Sequence, residues 1–505
     1  MKKVVFSLIA MMLVLAWHVP AMGQTNQAMM DEIKAIKAQL DNMKALQEKL
    51  NTLEERLKGM EEVTTKAKAI EETIQKKKGT PVFSFWKNDF YFETPDGDFS
   101  MRVRGNVHFD TKMYGGQSAN PTHFDVRRAR IDFQGLFWKY IQFRVQPELA
   151  DSPYIRNAWV DFKFRDWLHL RAGQMKPPFS TSWWTMDNNV NFLERGTSTP
   201  FYPYFDRGWW AWGDVLCNTL TWNLGMFTGA GLELDYKKGD IDDHKDLIAR
   251  LFYSPFKNDK GHQLEGLHLC LEGTHSYQSK PTSRFETGGM GAQVRDDKVY
   301  KWYTSTSSPL YMDMGTRNRW GAEVHYIKGP FTLSSEYLET RYKSIEAFTD
   351  ADKTIKIFNE DARMTSWSTF VSYYLTGESN TVSNFGWRKP SPKVNFDPIN
   401  LKGTGAWEIL ARYTHTEIGD NLYTKSGSYY IATGTPWTDE ITLGVNWTWN
   451  PMVRWQLNYT HIKAADGTGP TGETYGLWTG SSDSYDPEKQ TANEDMLGLR
   501  MIFKF

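Results

Sequence analysis

From residue 100 onward, apolar and polar residues alternate along the chain. Met101 and Val103 alternate with Arg102 and Arg104, and the pattern continues to residue 113. A β-strand places successive side chains on opposite faces, so the pattern predicts a strand with one apolar and one hydrated face. The same alternation returns at residues 141–146, 168–172 and 441–449.

About sixteen such strands can be placed. They begin near residues 100, 123, 139, 154, 167, 207, 219, 246, 265, 319, 330, 365, 405, 438, 453 and 494. An even number is expected for a closed barrel, and short turns should alternate with long loops. The tight connections are residues 164–167, 328–331 and 450–453, and long segments follow Lys176, Tyr277, Tyr342, Glu417 and Lys463. The pattern predicts an all-β transmembrane fold, a 16-stranded antiparallel up-and-down barrel over residues 99–505.

One connection breaks this alternation. Residues 376–405 lie where a short turn is expected, so either this segment folds back into the barrel or the strands near it are miscounted. The last strand is regular, and it places on one face Leu497, Leu499, Met501, Phe503 and Phe505. An apolar terminal strand ending in Phe resembles the signal read by outer-membrane assembly machinery. This ending predicts a location in the bacterial outer membrane.

The N-terminal region has a different, helical pattern. Residues 25–78 are rich in Ala, Glu, Lys, Leu and Met, and the apolar positions are spaced by three or four: Ile33, Ile36, Leu40, Met43, Leu46, Leu50, Leu53, Leu57 and Met60. This is a heptad repeat with one stammer, which indicates a coiled coil. A lone solvated helix is the alternative. At 1.5 Å per residue the helix would extend about 75 Å into the periplasm.

The segments on either side of this helix complete the predicted organisation. Residues 1–23 combine Lys2 and Lys3, an apolar run and Ala21-Met22-Gly23. These are the parts of a secretory signal peptide. Gly79-Thr80-Pro81 should end the helix, and residues 79–98 are interpreted as a linker to the barrel.

Composition supports a barrel over a helical membrane bundle. Of the 505 residues 40% are hydrophobic and 15% aromatic, and the mean hydropathy is negative. Strands that show every second side chain to lipid, with aromatic girdles at both interfaces, give this mixture. After the leader, no apolar run approaches the roughly 18 residues of a membrane-spanning helix. The formal net charge of −1 gives no reason to expect a nucleic-acid partner.

The sequence contains no convincing catalytic, cofactor or metal site. No hydrolase, zinc-protease, nucleotide or dinucleotide signature occurs in a fitting context. Cys217 and Cys270 are interpreted as small strand residues. The same interpretation, as strand residues without ligand spacing, applies to His108, His169, His268, His325 and His461. An acidic stretch is read as a solvated external loop rather than a calcium site, and it comprises Asp235, Asp240, Asp242, Asp243 and Asp246.

Several motifs resemble the phosphate-selective porin family, the outer-membrane porins of O and P type. They are Arg127-Arg128-Ala129-Arg130-Ile131, Arg171 through Phe179, Phe192-Leu193-Glu194-Arg195, Tyr374 through Glu378, Gly405 through Tyr413, and Gly444 through Pro451. The resemblance runs from about residue 99 to the end of the sequence. It does not include the helix.

The resemblance implies a trimeric, sixteen-stranded porin with a basic channel for phosphate or other anions. It also implies a long inward loop after the fifth strand, from about Pro177 to Asp206, with Lys176 and Arg195 among its motif residues. Family members commonly carry Glu after the motif lysine, whereas this chain has Pro177. The charge pattern at the narrowest point is therefore expected to differ.

An ion in a narrow lumen loses part of its water shell, so side chains of opposite charge must replace it. Arginine suits phosphate because its planar fork stays charged. Strand parity and the family motifs give these candidate pore-lining residues: Arg102, Arg104, Arg128, Arg130, Arg144, Arg171, Lys176, Arg195, Arg412 and Arg500. The alternative is that these arginines only balance inward carboxylates, namely Asp110, Asp132, Glu148, Asp161 and Glu408.

Three classes of function follow from these patterns. The preferred one is an outer-membrane porin for passive diffusion of small solutes, with anions such as phosphate expected. The second is a structural protein whose periplasmic coiled coil tethers or spaces the envelope by contact with the cell wall. The third, a barrel enzyme such as a lipase or protease, lacks a Ser, His and Asp arrangement at the lipid face.

Overall fold

The computed structural model describes residues 26–76, 81–86, 89–116, 118–150, 153–229, 242–279, 300–302, 310–423, 425–426, 429–468, 474–478 and 490–505. Contacts divide the chain into two units, Met1–Pro81 and Val82–Phe505. Within the described residues, no helix has both the length and the apolar character needed to cross a bilayer.

The first unit contains one long helix, α1 (Asn26–Lys76). The predicted apolar stripe lies along it, and its nine heptad side chains from Ile33 to Met60 are 47% to 71% exposed. A stripe this apolar gains free energy when it packs against a partner. The helix itself is observed, and its pairing into a coiled coil stays a prediction.

The second unit is built on sixteen strands. They are β1 (Ser100–Gly116), β2 (His123–Phe137), β3 (Ile141–Glu148), β4 (Tyr154–Arg165), β5 (Leu168–Met175), β6 (Asp206–Val215), β7 (Leu220–Phe227), β8 (Asp246–Tyr253), β9 (Leu267–Gln278), β10 (Gly315–Lys328), β11 (Phe331–Phe348), β12 (Lys356–Tyr374), β13 (Ala406–Ile418), β14 (Trp437–Thr448), β15 (Val453–Ala464) and β16 (Asn493–Lys504). Each strand pairs antiparallel with its neighbours, and β16 pairs with β1. The predicted closed 16-stranded barrel is confirmed.

The barrel is apolar outside and polar inside. On β16, Leu497 and Leu499 point outward and are more than a third exposed. Arg500 lies on the inner face of the same strand and is fully buried. Inward Asn446 and Gln456 are almost completely buried as well. This inversion of a soluble core is what a lipid-facing barrel with a filled, hydrated interior requires.

The largest difference from the predicted strand starts is at β12. This strand begins at Lys356, nine residues before the predicted 365. Its 19 residues and the 18 of β11 exceed the roughly 9 to 11 residues needed to cross a bilayer. The excess extends past the lipid, where the outer face needs no apolar residues, so alternation gave no signal there.

The second unit also contains short strands and helices outside the sixteen barrel strands. Phe83–Trp86 and Phe90–Glu93 lie in the segment interpreted as a linker, and they extend the sheet beside the start of β1. The remaining short strands are Tyr300–Trp302, Tyr311–Asp313, Thr381–Ser383, Gly386–Arg388, Lys425–Ser426, Tyr429–Tyr430, Ala432–Gly434, Gly467–Thr468, Thr474–Tyr475, Leu477–Trp478 and Gln490–Thr491. The short helices are α2 (Thr181–Trp184) and the 3-10 turns Asp187–Asn189, Thr199–Phe201 and Asp420–Leu422.

Cys217 does not lie in a strand, contrary to the sequence interpretation. It occupies the tight turn between β6 and β7, where Leu216, Cys217 and Asn218 all have positive φ. The residues next to Cys217 include no Gly or Pro, so the sequence did not indicate a turn there. Cys270 does lie in a strand, β9, and is buried.

Residues 376–405 fold back into the barrel, which resolves the exception in the predicted turns. Within this segment Thr381–Ser383 and Gly386–Arg388 form a short hairpin. Asn380 donates its side-chain N–H groups to Thr332 at 3.2 Å and to Glu408 at 3.1 Å, both on the inner wall. The strand count was correct, and the long connection is the inward hairpin.

Candidate functional site

The connection between β5 and β6, residues 176–205, contacts the inner wall on several sides. Several of its backbone N–H groups donate to inward side chains of distant strands. The N–H of Thr181 donates to Glu323 at 3.0 Å, and that of Thr197 donates to Glu440 at 2.8 Å. A buried segment without regular structure must find such partners, because unpaired buried N–H groups are costly.

Asp187 holds one end of this connection to the wall. Its carboxylate lies 3.3 Å from Arg128, 2.5 Å from Arg130 and 3.0 Å from Arg195. Burial alone would raise the pKa of Asp187, but the guanidinium charges, led by Arg128, hold it well below its usual range. Asp187 therefore stays ionised and binds three cations at once.

Glu194 makes a second such anchor. It lies 3.0 Å from Arg127, 3.0 Å from Arg500 and 3.5 Å from Lys112. Burial opposes ionisation here too, yet the charge of Arg127, followed by that of Lys112, lowers the pKa of Glu194. The backbone carbonyl of Glu194 also accepts a hydrogen bond from Arg412 at 3.0 Å.

The inward hairpin meets this connection inside the barrel. The backbone N–H of Trp387 donates to the Thr185 hydroxyl at 2.9 Å. The rings of Phe385 and Trp184 lie 5.4 Å apart. Segments entering from the two opposite ends of the barrel thus contact each other in its interior.

Beside this contact lies a cavity of about 540 Å³ with a strongly positive lining. Its lining includes three carboxylates, Asp89, Asp132 and Asp187. It also includes seven cationic side chains, namely Arg104, Arg130, Arg144, Arg171, Lys176, Arg388 and Lys504. Five of the ten predicted site residues are therefore brought together here.

Most of these cations are paired with carboxylates. Arg144 binds Asp132 through two N–H groups, both at 2.9 Å. Arg104 lies 3.7 Å from the same carboxylate. Arg171 donates to Asp161 at 2.8 Å and lies over the ring of Trp159. Together with the Arg130 contact to Glu148 at 2.6 Å, these pairs form a balanced lattice along the wall.

Three of the cations lack a carboxylate at salt-bridge distance within the described residues. Lys176 donates to the backbone carbonyls of Trp183 at 2.7 Å and Thr185 at 3.1 Å. Burial, followed by the charge of Arg195, lowers the pKa of Lys176 well below its usual range. Arg388 is exposed at the hairpin, and Lys504 lies at the end of β16.

The other predicted residues lie away from this cavity. Arg102 lies 3.6 Å from Asp89, and Arg500 binds both oxygens of Asp110 at 2.6 Å. Arg128 contacts Asp187 from outside the cavity lining. Arg195 and Arg412 line a smaller cavity of about 50 Å³, and Arg412 pairs with Glu440 at 2.5 Å.

Many of the predicted arginines do pair with the inward carboxylates that the balancing alternative names. Arginine pairs are observed for Asp110, Asp132, Glu148 and Asp161. Glu408 differs, because its partner is Lys389 of the inward hairpin at 2.8 Å.

Two further sequence expectations can be located. Asp235 and Asp240 lie outside the described residues, and Asp246 is not in a loop but begins β8, where it binds Arg317 at 2.8 Å.

Two cations of the positive cavity, Arg388 and Lys504, were missed by the sequence analysis. Lys504 shares the strand parity of Arg500 and could have been found, whereas no strand pattern marks Arg388.

Comparison with known proteins identifies the family. Residues 101–505 match the family described as phosphate-selective porin O and P. Porin O of Pseudomonas aeruginosa strain PAO1 is 24% identical over 422 residues, which are 79% of this chain and 91% of that protein.

Solved outer-membrane proteins are more distantly similar. OmpT of Vibrio cholerae has a TM-score of 0.47 at 10% identity, covering 81% of this chain and 98% of that one. The OmpF complex of Salmonella typhi with daunomycin gives 0.45 at 10%, covering 84% and 100%. The channel DcaP of Acinetobacter baumannii gives 0.44 at 9%, covering 82% and 99%. The family match spans most of the chain, and the chain therefore belongs to the phosphate-selective porin O and P family of the bacterial outer membrane.

Proposed function

We propose that this porin is a passive channel for small anions such as phosphate. The observation that carries the proposal is the positive cavity, with seven cations against three carboxylates. Paired arginines keep the wall hydrated and rigid, whereas Arg388 and Lys504, which have no carboxylate partner among the described residues, keep charge available for a passing ion. Phosphate oxygens accept charge-assisted hydrogen bonds from such groups.

The solute path in this proposal is narrowed by residues 176–205. Asp187 and Glu194 fix that segment to the wall, and the inward hairpin supports it from the other end. The narrowing brings an ion close to the unpaired cations, where the ion loses part of its water shell and the protein charges act most strongly.

Phosphate specificity is supported by the family and by the Porin O relative, and it is tested by competition. The purified full chain is placed in planar bilayers with chloride as the current carrier, and phosphate is added in steps. We expect a saturable fall of the chloride current at phosphate concentrations too low to change the bulk conductivity. Sulfate is the matched control anion. A chloride current unaffected by phosphate would remove the specificity.

The remaining parts of the proposal concern assembly and α1. We propose a homotrimer in outer-membrane lipid, a cleaved signal peptide over residues 1–23, and α1 as a periplasmic coiled coil that can contact the cell wall. The exposed apolar stripe of α1 supports its pairing. No catalytic activity is part of this function.

The envelope role of α1 is testable separately from transport. Deleting residues 25–78 while keeping residues 1–24 should leave conductance intact and alter the spacing between outer membrane and cell wall in electron micrographs. Unchanged spacing would restrict α1 to holding the porin chains together.

A further inference from the structure

A second cluster of reactive side chains lies on the inner wall, apart from the positive cavity. The cluster consists of Cys270 on β9 and of Glu323 and His325 on β10, and all three residues are buried. Cys270 lies directly opposite Glu323 in the strand register, and His325 is two residues further along the same face. Thr181 of the 176–205 connection covers the cluster.

The ligand atoms of the cluster have the spacing of a tetrahedral metal site. The distance from Cys270 Sγ to His325 Nε2 is 3.8 Å, and that from His325 Nε2 to a Glu323 carboxylate oxygen is 3.2 Å. All three ligand atoms lie within 4.8 Å of one another. Zinc bonds of about 2.3 Å to sulfur and about 2.0 Å to nitrogen or oxygen give tetrahedral edges of about 3.3 to 3.6 Å.

The Thr181 hydroxyl is the candidate for a fourth ligand. Its Oγ1 lies 3.1 Å from His325 Nε2 and 3.8 Å from Cys270 Sγ. Thr181 thus places an oxygen atom beside the ligand atoms of both Cys270 and His325.

The orientation of the imidazole fits metal binding. His325 Nδ1 is 2.9 Å from the Ser334 hydroxyl on β11. When Nδ1 carries the proton and donates it to Ser334, the lone pair of Nε2 points into the cluster. Fixing a ligand histidine through its other nitrogen is a regular feature of metal sites.

The charge of the cluster also calls for a cation. Carboxylate oxygens of Glu272, Glu323 and Glu336 lie within 4.8 Å of one another, all buried. In the described part of the chain, one guanidinium pairs with them: Arg250 lies 3.2 Å from Glu272 and 3.1 Å from Glu323. One Glu272 oxygen is buried without a hydrogen-bond partner. Buried charge left unbalanced is costly, so this surplus must be neutralised.

Arg250 borders the proposed ligand atoms on one side, and its Nη2 also donates to Thr181 Oγ1 at 2.6 Å. It donates to Oε1 of Glu323, whereas Oε2 of the same carboxylate faces His325. Arg250 also donates to Cys270 Sγ at 3.5 Å, a contact that stabilises a thiolate. The guanidinium and a metal ion can therefore share Glu323 through different oxygens.

We propose that Cys270, Glu323 and His325 bind one Zn²⁺ or a similar borderline divalent ion, which fastens the 176–205 connection to the barrel wall through Thr181. On binding, the Cys270 thiol loses its proton to solvent and its sulfur bonds to the ion, so the step is a proton–metal exchange without oxidation. The site is enclosed, and the ion enters during folding before the connection docks over it.

Cobalt provides the direct test, since a Co²⁺–thiolate bond has a charge-transfer absorption in the near ultraviolet. The full chain is unfolded with chelator, refolded into detergent with Co²⁺, and then washed with chelator. We expect about one Co²⁺ retained per chain together with the thiolate band. Cys270→Ser should abolish the band, and the matched control Cys217→Ser, at the exposed cysteine, should keep it.

Protons are the competing way to neutralise the cluster, and the same experiment separates the two. Wild-type protein that refolds into conducting channels yet retains no Co²⁺ would overturn the metal site. So would a thiolate band that is lost in Cys217→Ser and kept in Cys270→Ser. If Cys270→Ser does not fold, the wild-type result decides, because it needs no variant.

Discussion

The interior of this porin separates arginines that are neutralised by the wall from cations that are not. Arg144 has two hydrogen bonds to Asp132, and its charge is largely cancelled for a passing ion. Arg388 and Lys504 line the same cavity without such a partner in the described residues. Selectivity should therefore depend on the cations without a carboxylate partner, although the paired arginines are more numerous.

Neutralising Arg388 tests this distinction. One unit charge about 6 Å from an ion is worth about 0.7 kcal/mol at the dielectric constant of water, favourable for an anion and unfavourable for a cation, so the permeability ratio changes by about 1.4 kcal/mol, or about tenfold. We expect Arg388→Gln to lower the anion-to-cation permeability ratio by about that factor in bilayer recordings. Arg341→Gln, an exposed cation of β11 beside Glu339, is the matched control. An unchanged ratio in Arg388→Gln would contradict the assignment.

Strand parity explains which residues the sequence could reveal. Parity placed the strand arginines on the inner face, and the pairs with Asp110, Asp132, Glu148 and Asp161 were all foreseeable as neighbours on that face. Arg388 was not, because it lies outside the strand ladder. The cluster of Cys270, Glu323 and His325 was also hidden, since it depends on the register between β9 and β10, which sequence spacing does not give.

Two connections between strands, residues 176–205 and the hairpin within residues 376–405, contact the inner wall of the barrel. The connection over residues 176–205 was expected from the family resemblance to be an inward loop, and it contacts inward side chains of the wall. The hairpin within residues 376–405 was only one of two alternatives. Its length indicated an exception, but the burial of Trp387 against Phe370 and Leu410 depends on tertiary packing that no local pattern encodes.

Acid should release the 176–205 connection. The arginine and lysine side chains that contact Asp187 and Glu194 lower the pKa values of both carboxyl groups. The contribution of the two carboxylates to docking is therefore fully present above their pKa of about 4 in the unfolded chain, and it is lost progressively as the pH falls below that value. We expect single-channel conductance to be constant from about pH 7 to 5 and to rise below about pH 4.

Asp187→Asn should reproduce the acid effect at neutral pH. Removing one partner of a buried ion pair costs about 3 to 5 kcal/mol, because the cations left behind are uncompensated. The conductance of this variant should exceed that of the wild type at pH 7. Asp166→Asn, at an exposed turn where Asp166 pairs with Lys163, is the control. Wild-type conductance in Asp187→Asn would show that Asp187 does not hold the connection.

Removing the inward hairpin should widen the path and weaken anion binding together. Replacing residues 378–403 with Asn-Gly makes the short turn that strand alternation expects. We expect a larger conductance and a weaker phosphate block, because the bulky Trp387 and the charge of Arg388 leave the interior. Deleting residues 351–353 from the exposed turn between β11 and β12 is the control. A smaller or unchanged conductance would contradict the proposed place of the hairpin.

At the scale of the whole molecule, the sequence determined the barrel better than its assembly. Alternation, strand number and connection lengths were sufficient for the closed barrel, because membrane burial enforces one apolar face on every strand. The helix α1 was likewise predicted from a periodic pattern, the 3.5-residue spacing of its apolar residues. What α1 packs against could not be read from one chain, since its apolar stripe stays exposed.

Cysteine cross-linking tests the coiled coil. In full-length protein carrying Cys217→Ser, Leu50→Cys places a thiol on the apolar stripe, and Glu55→Cys places one on the opposite face. A parallel coiled coil brings equivalent stripe positions together across its axis. We expect oxidation to link chains through Leu50→Cys and not through Glu55→Cys. Equal or absent cross-linking at both positions would support a solitary helix.

The most direct test of the account is the reversal potential of the purified wild-type channel in a potassium chloride gradient. Cations along the path that have no carboxylate partner among the described residues admit chloride faster than potassium, so the dilute side should become negative relative to the concentrated side. A potential of zero or of the opposite sign would show that the positive cavity does not lie on the path of the ions.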